Sequence, residues 1–520
     1  MAAVEAPVHH ASELAIEEKA KLRKVLGRWD LILFAACAIV GLDTVAFAAS
    51  VGGEAITWLV LSLILFLIPY GLLTAELGSA FPKEGGPYEW VKMAFGRLPG
   101  SITAVLYWLS NPIWIGGTLA ASSIAAIQAF VYHGTMSTTA EIVFGLVFTW
   151  ATVGTAVASF RYGKWGPNIG TIVKVLVVAT FFVLVVSFLV SKGQPVGTVG
   201  AADLKPSISG FLAVVGVLVF LWVGFELAGG ASEEMKNPQR DVPVMVVGSG
   251  VIATILYAMV IGGILLVIPK AALSNVGGFA DAYFRVAGVL GSGKSVLGPI
   301  FGIGIVLTLF GSGVVWLEGA DRVQAVAALD GAAPAWLGRF TSFGTPLNVN
   351  ICSGIVGSLF VVFVFKITSG SLSAFFDVAI ALAISTATLC YLFMFLTLPV
   401  LRKKYPDVVR PYRVPGGIVG CWVCAILSEL FVVVTGITLL WPGLIDNLLG
   451  QHYSIEESWG VSRVFFENTT LGAFVVIVLL AVVFWAIGRR NLRTGLAGED
   501  DTVVVLPDLE ASGPGGDARA

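Results

Sequence analysis

The chain has 520 residues, 57% of them hydrophobic and only 12% charged, with a formal net charge of −2. Soluble domains carry about 25% charged residues, so this composition excludes a large soluble enzyme and describes a polytopic membrane protein. The near-neutral balance leaves no electrostatic footprint for nucleic acid.

Residues 1–28 read as a disordered or amphipathic tail, with Lys19, Lys21, Arg23, Lys24 and Arg28 ahead of the first apolar stretch. Their polarity gives no cleavable signal. Apolar segments of roughly 20 residues, the length that crosses a bilayer, follow at 30–52, 55–77, 98–132, 139–159, 167–191, 210–234, 243–269, 295–320, 346–366, 371–401, 417–445 and 470–490. The expected fold is therefore all-α with twelve transmembrane helices. Residues 280–292 fit a short helix outside the membrane, and the acidic, Gly-rich stretch 491–520 fits a disordered tail. With both ends inside, the inner segments hold 22 Lys and Arg residues and the outer segments 7. That asymmetry predicts a multi-pass plasma (inner) membrane protein with both termini in the cytoplasm.

Two spans are interrupted. Span six carries Phe220-Leu-Trp-Val-Gly-Phe-Glu226 and then Gly229 and Gly230, before a loop that ends at Pro243. A carboxylate at membrane depth costs roughly 2.5–3.5 kcal/mol, so Glu226 is expected to face a cavity or a partner instead of lipid. The glycines let the helix unwind and free backbone groups that must line a protein or water-filled site. Span one carries Ile39-Val-Gly-Leu-Asp-Thr-Val45 at its middle. The two breaks lie five spans apart, which fits an inverted five-plus-five repeat, residues 29–192 and 209–401, within a ten-helix core of 29–401. Helices eleven and twelve, in 402–490, complete the chain.

Four stretches then resemble the amino acid–polyamine–organocation transporters: Phe81-Pro-Lys-Glu-Gly-Gly-Pro-Tyr88; Gly224-Phe-Glu226 with Glu233-Glu-Met-Lys-Asn-Pro-Gln-Arg240; Gly319-Ala-Asp-Arg322 to Asp330-Gly331; and Arg410-Pro-Tyr-Arg-Val-Pro-Gly-Gly417. The last is similar to the glutamate/GABA and putrescine branches. The resemblance covers about residues 28–490. It implies the leucine-transporter-like fold, alternating access, and a secondary active amino acid permease that works by proton symport or exchange. A carrier of polyamines or small amines is the alternative. A membrane sensor that keeps the fold without transporting belongs to another class, and no large soluble domain supports it.

In the family the span-one break reads Gly-Ser-Gly, whose amides and partly positive helix end hold a substrate carboxylate. Here the triplet is Gly41-Leu42-Asp43, after Val40. An aspartate there repels a carboxylate and attracts an amine. Asp43 is expected to contact a substrate amine, to pair internally with a cation such as Lys174, or to cap the break. By the same resemblance Phe220 is a gating aromatic, Trp222 and Gly224 flank the second break, and Glu226 is a gate or proton carrier. Each has a structural alternative, helix packing for Phe220 and a hydrogen bond to the span-one backbone for Glu226. Tyr107 and Asn111, four apart on span three, share a helix face and offer a hydroxyl and an amide to one ligand. Span eight adds Trp316 and the membrane-depth carboxylate Glu318, with Asp321 and Arg322 expected to pair at the inner end. Lys174, the charged residue within span five, resembles the lysine that replaces sodium in sodium-independent members, which favours protons as coupling ion; the alternative is a snorkelling side chain. The five cysteines fall in apolar segments, and Cys421-x-x-Cys424 reads as packing. No spacing suggests a metal, a cofactor or a catalytic nucleophile. Oligomeric state is not legible.

Overall fold

The structure is a computed structural model that describes residues 11–498 except 23, 163–164, 193–194, 196–199, 369, 443 and 445–461. The tail from residue 499 lies outside the described residues, as does residue 1–10 of the amino-terminal tail. In chain order the helices are α1 (Glu13–Lys19), α2 (Arg28–Ile39), α3 (Val45–Ala49), α4 (Glu54–Ala80), α5 (Gly86–Phe95), α6 (Arg97–Tyr132), α7 (Thr138–Tyr162) and α8 (Trp165–Lys192). They continue with α9 (Ile208–Trp222), a 3₁₀ segment (Phe225–Glu234), α10 (Pro238–Val267), α11 (Gly278–Val286), α12 (Lys294–Leu329), α13 (Leu347–Ile367), α14 (Leu372–Lys404), α15 (Gly417–Leu440) and α16 (Arg463–Arg493).

Among the described residues, eleven helical stretches are long and apolar enough to cross a membrane. The predicted first span is not among them because it is cut into pieces of 12 and 5 residues, α2 and α3. Apolar side chains cover the outside as well as the core. Val147, Val183, Phe363 and Val476 are all more than half exposed, on four different helices. Such a surface is intolerable in water and ordinary in lipid, so the chain is an integral membrane protein.

Local chemistry sets the helix ends. Asp30 accepts the Gly27 N–H at 3.0 Å, which holds the entry to α2. Ser207 caps α9 by accepting from Gly210 N at 2.9 Å, while Glu54 of α4 accepts from both the N–H and the hydroxyl of Ser207 at 2.9 Å. The two interruptions fall where the glycines stand. Helix α2 stops at Ile39, and Val40 is extended. Helix α9 stops at Trp222, and Gly224 has a φ of 135°, a conformation that strains any residue with a Cβ. A Cβ there would also come within 3.1 Å of Ile39 Cγ1, so the two breaks meet at this point. Beyond it the chain resumes as 3₁₀ instead of α-helix.

One expected segment is found and another departs from the sequence expectation. Residues 280–292 are helical, as α11 and a following 3₁₀ turn. The stretch 12–28 is docked instead of free: Ser12 N bonds Gly498 O at 2.8 Å, Glu18 accepts from Phe340 N at 2.8 Å, and Lys19 pairs with Glu233 at 2.7 Å. Its backbone also pairs with the 3₁₀ segment, through Val25 N and Leu26 N to Glu234 O at 3.0 Å. Hydrogen bonds between the loops compete successfully with solvation of this tail.

Candidate functional site

Helices α6, α8, α10 and α12 bring polar side chains to the facing breaks that end α2 and α9. Tyr257 of α10 staples them. Its hydroxyl accepts from Gly41 N at 2.9 Å and donates between Ile39 O at 2.6 Å and Leu221 O at 3.1 Å. A single buried hydroxyl thereby satisfies backbone groups of both broken helices, as buried backbone requires.

Asp43 is 2% exposed. Its Oδ2 accepts from Trp114 Nε1 at 2.7 Å and from Thr118 Oγ1 at 2.8 Å, both on α6. Pro112 lies within α6, and a π-helical turn follows at Ile115–Leu119. Proline removes one helical hydrogen bond, and the wider turn re-aims the side chains beside it. That is how Trp114 and Thr118 come to face Asp43. The other oxygen, Oδ1, has no hydrogen-bond partner among the described residues, and neither does the hydroxyl of Thr44. A Cβ on Gly41 would lie 3.1 Å from Oδ1, so the carboxylate stands directly beside the break.

Lys174 approaches from α8. Its ammonium donates to Cys37 O and Ser312 Oγ at 2.7 Å and also to Val40 O. It therefore binds the freed carbonyls of the first break and the hydroxyl of α12, and does not form an ion pair with Asp43. It is 1% exposed, so it does not snorkel. Between the breaks lies a cavity of about 10 Å³, walled by Gly41, Thr44, Trp114, Phe220, Tyr257 and Trp316. That is room for at most one water. Half-buried Phe220 meets the Trp114 ring at 5.7 Å, and Trp114 meets Trp316 at 6.1 Å, both edge to face. The aromatic side chains thus close the space in this conformation.

Glu226 occupies a separate compartment. Tyr107 and Tyr391 donate to its Oε1 at 2.8 and 2.6 Å, and Tyr70 donates to its Oε2. The Tyr70 hydroxyl also accepts from Gly224 N at 3.0 Å and Phe225 N at 2.8 Å. Three phenols satisfy one fully buried carboxylate, and one of them caps the restarted helix. The partner of Glu226 is this tyrosine cage, not the span-one backbone.

The remaining expected residues are placed as follows. Asn111 donates back to Tyr107 O at 2.7 Å within its own helix, and Leu42 is buried. Trp222 turns from the cavity to bond Ser62 Oγ at 2.8 Å, whereas Trp316 bonds Ala38 O at 2.9 Å and lines the cavity. Glu318 is buried on α12. Asp321 and Arg322 do not pair. Arg322 reaches Glu234 at 2.9 Å and Glu84 at 3.3 Å, whereas Asp321 accepts from Ser353 at 2.9 Å. Neighbours in sequence point about 100° apart around a helix, which is why this pair parts. Sequence reasoning missed Trp114, Thr118, Tyr257, Tyr70 and Tyr391. The proline at 112 and the Trp114–Thr118 spacing of four were the signal for the first two; nothing local marks the tyrosines.

The end of the molecule near Arg322 is knit by ions. Burial pushes Asp330 up, but Lys92 at 3.1 Å and Arg97 at 3.1 Å outweigh it and hold its carboxyl at about 2. Glu84, in the loop after α4, behaves oppositely. Its burial outweighs Arg322, and Glu234 and Glu233 add repulsion, so its carboxyl is pushed up from 4.5 to about 8. A carboxyl raised on folding keeps its proton between those values while the unfolded chain has lost it. Its stabilising contribution is present at low pH and is lost as pH rises to about 8. Glu84→Gln is expected to remove that dependence: the melting-temperature difference between wild type and variant narrows or reverses as pH rises over this range. Parallel curves in a thermal-shift titration would count against it.

A sequence model described as amino acid permease matches residues 26–447. An uncharacterized transporter of Legionella pneumophila is 29% identical over 406 residues, which cover 76% of this chain and 85% of that protein. A probable agmatine/putrescine antiporter of Lactococcus lactis is 28% identical over 395 residues, 75% of this chain and 82% of its own. A branched-chain amino acid permease of Bacillus subtilis is 26% identical over 425 residues, 76% and 84% of the two chains. The match spans both helix breaks and the helices that carry every side chain around Asp43 and Glu226, and the chain belongs to the amino acid permease family.

Proposed function

We propose that this protein is a secondary active carrier whose substrate bears an ammonium or guanidinium group, held by Asp43 between the two broken helices. The observation that carries the reading is the buried Asp43 carboxylate with one oxygen bonded by Trp114 and Thr118 and the other without a partner. Of the first-break amides expected to hold a substrate carboxylate, that of Gly41 is engaged by Tyr257, and at the second break that of Gly224 is engaged by Tyr70. A cation therefore has a receptor here in Asp43 Oδ1, whereas the Gly41 and Gly224 amides are already taken. The similarity to an agmatine/putrescine antiporter points the same way, so a small amine or diamine is favoured over a neutral amino acid.

In this reading the twelve spans form the five-plus-five repeat, with α2–α3 and α9 to the 3₁₀ segment as its broken helices. The closed aromatic wall of Trp114, Phe220 and Trp316 opens to admit substrate. Lys174 occupies the place between span one and span eight that a sodium ion would need, which supports exchange or proton coupling, with Glu226 as the gate-linked carboxylate. The hydrogen bond between Ser12 N and Gly498 O supports both ends of the described chain lying on one side of the membrane, the side that the Lys and Arg asymmetry assigns to the cytoplasm.

The test is uptake into proteoliposomes preloaded with amine or left empty, with and without an inward proton gradient. Agmatine, putrescine and neutral, acidic and basic amino acids form the panel. Accumulation of an amine, competed by amines alone, is the expected result. Accumulation of leucine or isoleucine with no amine competition would refute the Asp43 receptor.

A further inference from the structure

A third buried carboxylate lies apart from Asp43 and Glu226. Asp321, near the carboxy-terminal end of α12, is wholly buried. Its Oδ1 accepts from Ser353 Oγ of α13 at 2.9 Å, and that oxygen accepts from Trp108 Nε1 of α6 at 2.8 Å. An indole N–H can only donate, so the single Ser353 hydrogen is free to point at Asp321. The other carboxyl oxygen, Oδ2, makes no hydrogen bond among the described residues. Neither amide atom of Gln324, one turn along α12, makes one, nor does Oδ1 of Asn350, one turn before Ser353 on α13. Asp321, Gln324, Asn350 and Ser353 are each at most 1% exposed. Four orphaned polar atoms on two adjoining helix faces require an explanation.

An ionised carboxylate in such a place needs a cation, because its uncompensated burial costs several kcal/mol. Asp321 makes no ion pair among the described residues. Arg322 is turned to Glu84, Glu234 and Gly344 O. Lys174 of α8 holds Cys37 O, Val40 O and Ser312, and Arg28 of α2 pairs with Asp241. On α5, Lys92 pairs with Glu89 and Asp330, and Tyr88 bonds Asp330; Arg97 of α6 joins them. Lys294 opens α12 and Lys366 closes α13, 27 and 13 residues from Asp321 and Ser353, and the remaining described groups on these elements are acidic or neutral: Glu318 on α12 itself, Glu226, Glu233 and Glu234 on the 3₁₀ segment, Tyr107 of α6, Glu141 of α7 and Cys352 of α13. Among the described residues no cation is paired with Asp321.

We propose that Asp321 is a proton-binding site of this carrier, separate from the substrate site, built with Ser353, Gln324 and Asn350. Ser353 donates to one carboxyl oxygen, the proton sits on the other, and the side-chain carbonyls of Gln324 and Asn350 supply acceptors for it. The proton neutralises the carboxyl without a counter-ion. Because α12 also carries Trp316 of the substrate cavity and Arg322 of the ion network, loss of this proton would place an unpaired charge in the helix that joins them. The site binds its proton whatever substrate the protein moves.

The test is infrared absorption of the full-length protein in proteoliposomes, comparing wild type, D321N and S353A. A protonated-carboxyl C=O band present at neutral pH, lost in D321N and shifted to higher frequency in S353A, is expected. Identical carboxylic-acid absorption in wild type and D321N would show Asp321 to be ionised and overturn the assignment. A band suppressed by sodium or potassium at constant pH would make this a metal-cation site and overturn it equally. If D321N does not fold, S353A decides alone, since an unshifted band then refutes the proton.

Discussion

Asp43→Asn is expected to raise the concentration of agmatine or putrescine that gives half-maximal uptake by roughly 10- to 100-fold, from the 1.5–3 kcal/mol of a hydrogen bond to a charged group. The fold should survive. The asparagine oxygen can still accept from Trp114 Nε1 and Thr118 Oγ1, which hold the wild-type Oδ2 at 2.7 and 2.8 Å. What changes is the second position: an acceptor that attracts an ammonium becomes an amide that donates hydrogen bonds and repels one. Concentration-dependent uptake in proteoliposomes, with a thermal-shift control for folding, checks this. An unchanged half-saturation concentration would remove Asp43 from the substrate site.

Lys174→Met should be more damaging to the protein itself. The ammonium satisfies Cys37 O, Val40 O and Ser312 Oγ at once, and methionine bonds none of them. Each buried acceptor left unmade costs about 1–3 kcal/mol, so a loss of about 3–9 kcal/mol is expected from the three. It should appear as a melting temperature lower by several degrees and as abolished transport. Wild-type uptake should be equal in sodium and choline buffers, because a lysine already binds the exposed carbonyls. Full activity and stability in the methionine variant would mean that the break holds its shape without the cation.

The outline of the protein was readable because membrane physics is written along the chain. A run of some 20 apolar residues specifies a spanning helix by itself, since no backbone group can stay unpaired in lipid. The interruptions at Gly41 and Gly224 were equally local, because glycine and a mid-span carboxylate both disfavour an unbroken apolar helix. The carboxylate beside the first break was visible at position 43 in the same way. The Asp321–Arg322 ion pair failed because proximity in sequence is not proximity of side chains on a helix. Glu226 was marked as needing a partner, but its three tyrosines come from α4, α6 and α14, and no spacing connects residues 70, 107 and 391.

Sequence alone determined the helical class, the segments that meet lipid, the two breaks and the sign of charge beside the first. These follow from the preference of single residues for water, lipid or a bent backbone. Tertiary structure alone decided that Tyr257 joins the breaks, that Lys174 binds carbonyls instead of Asp43, and that Trp114 and Thr118 leave one carboxylate oxygen open. Hydrogen bonds act over about 3 Å, so which groups are paired depends on how distant helices pack and on no property of either residue by itself.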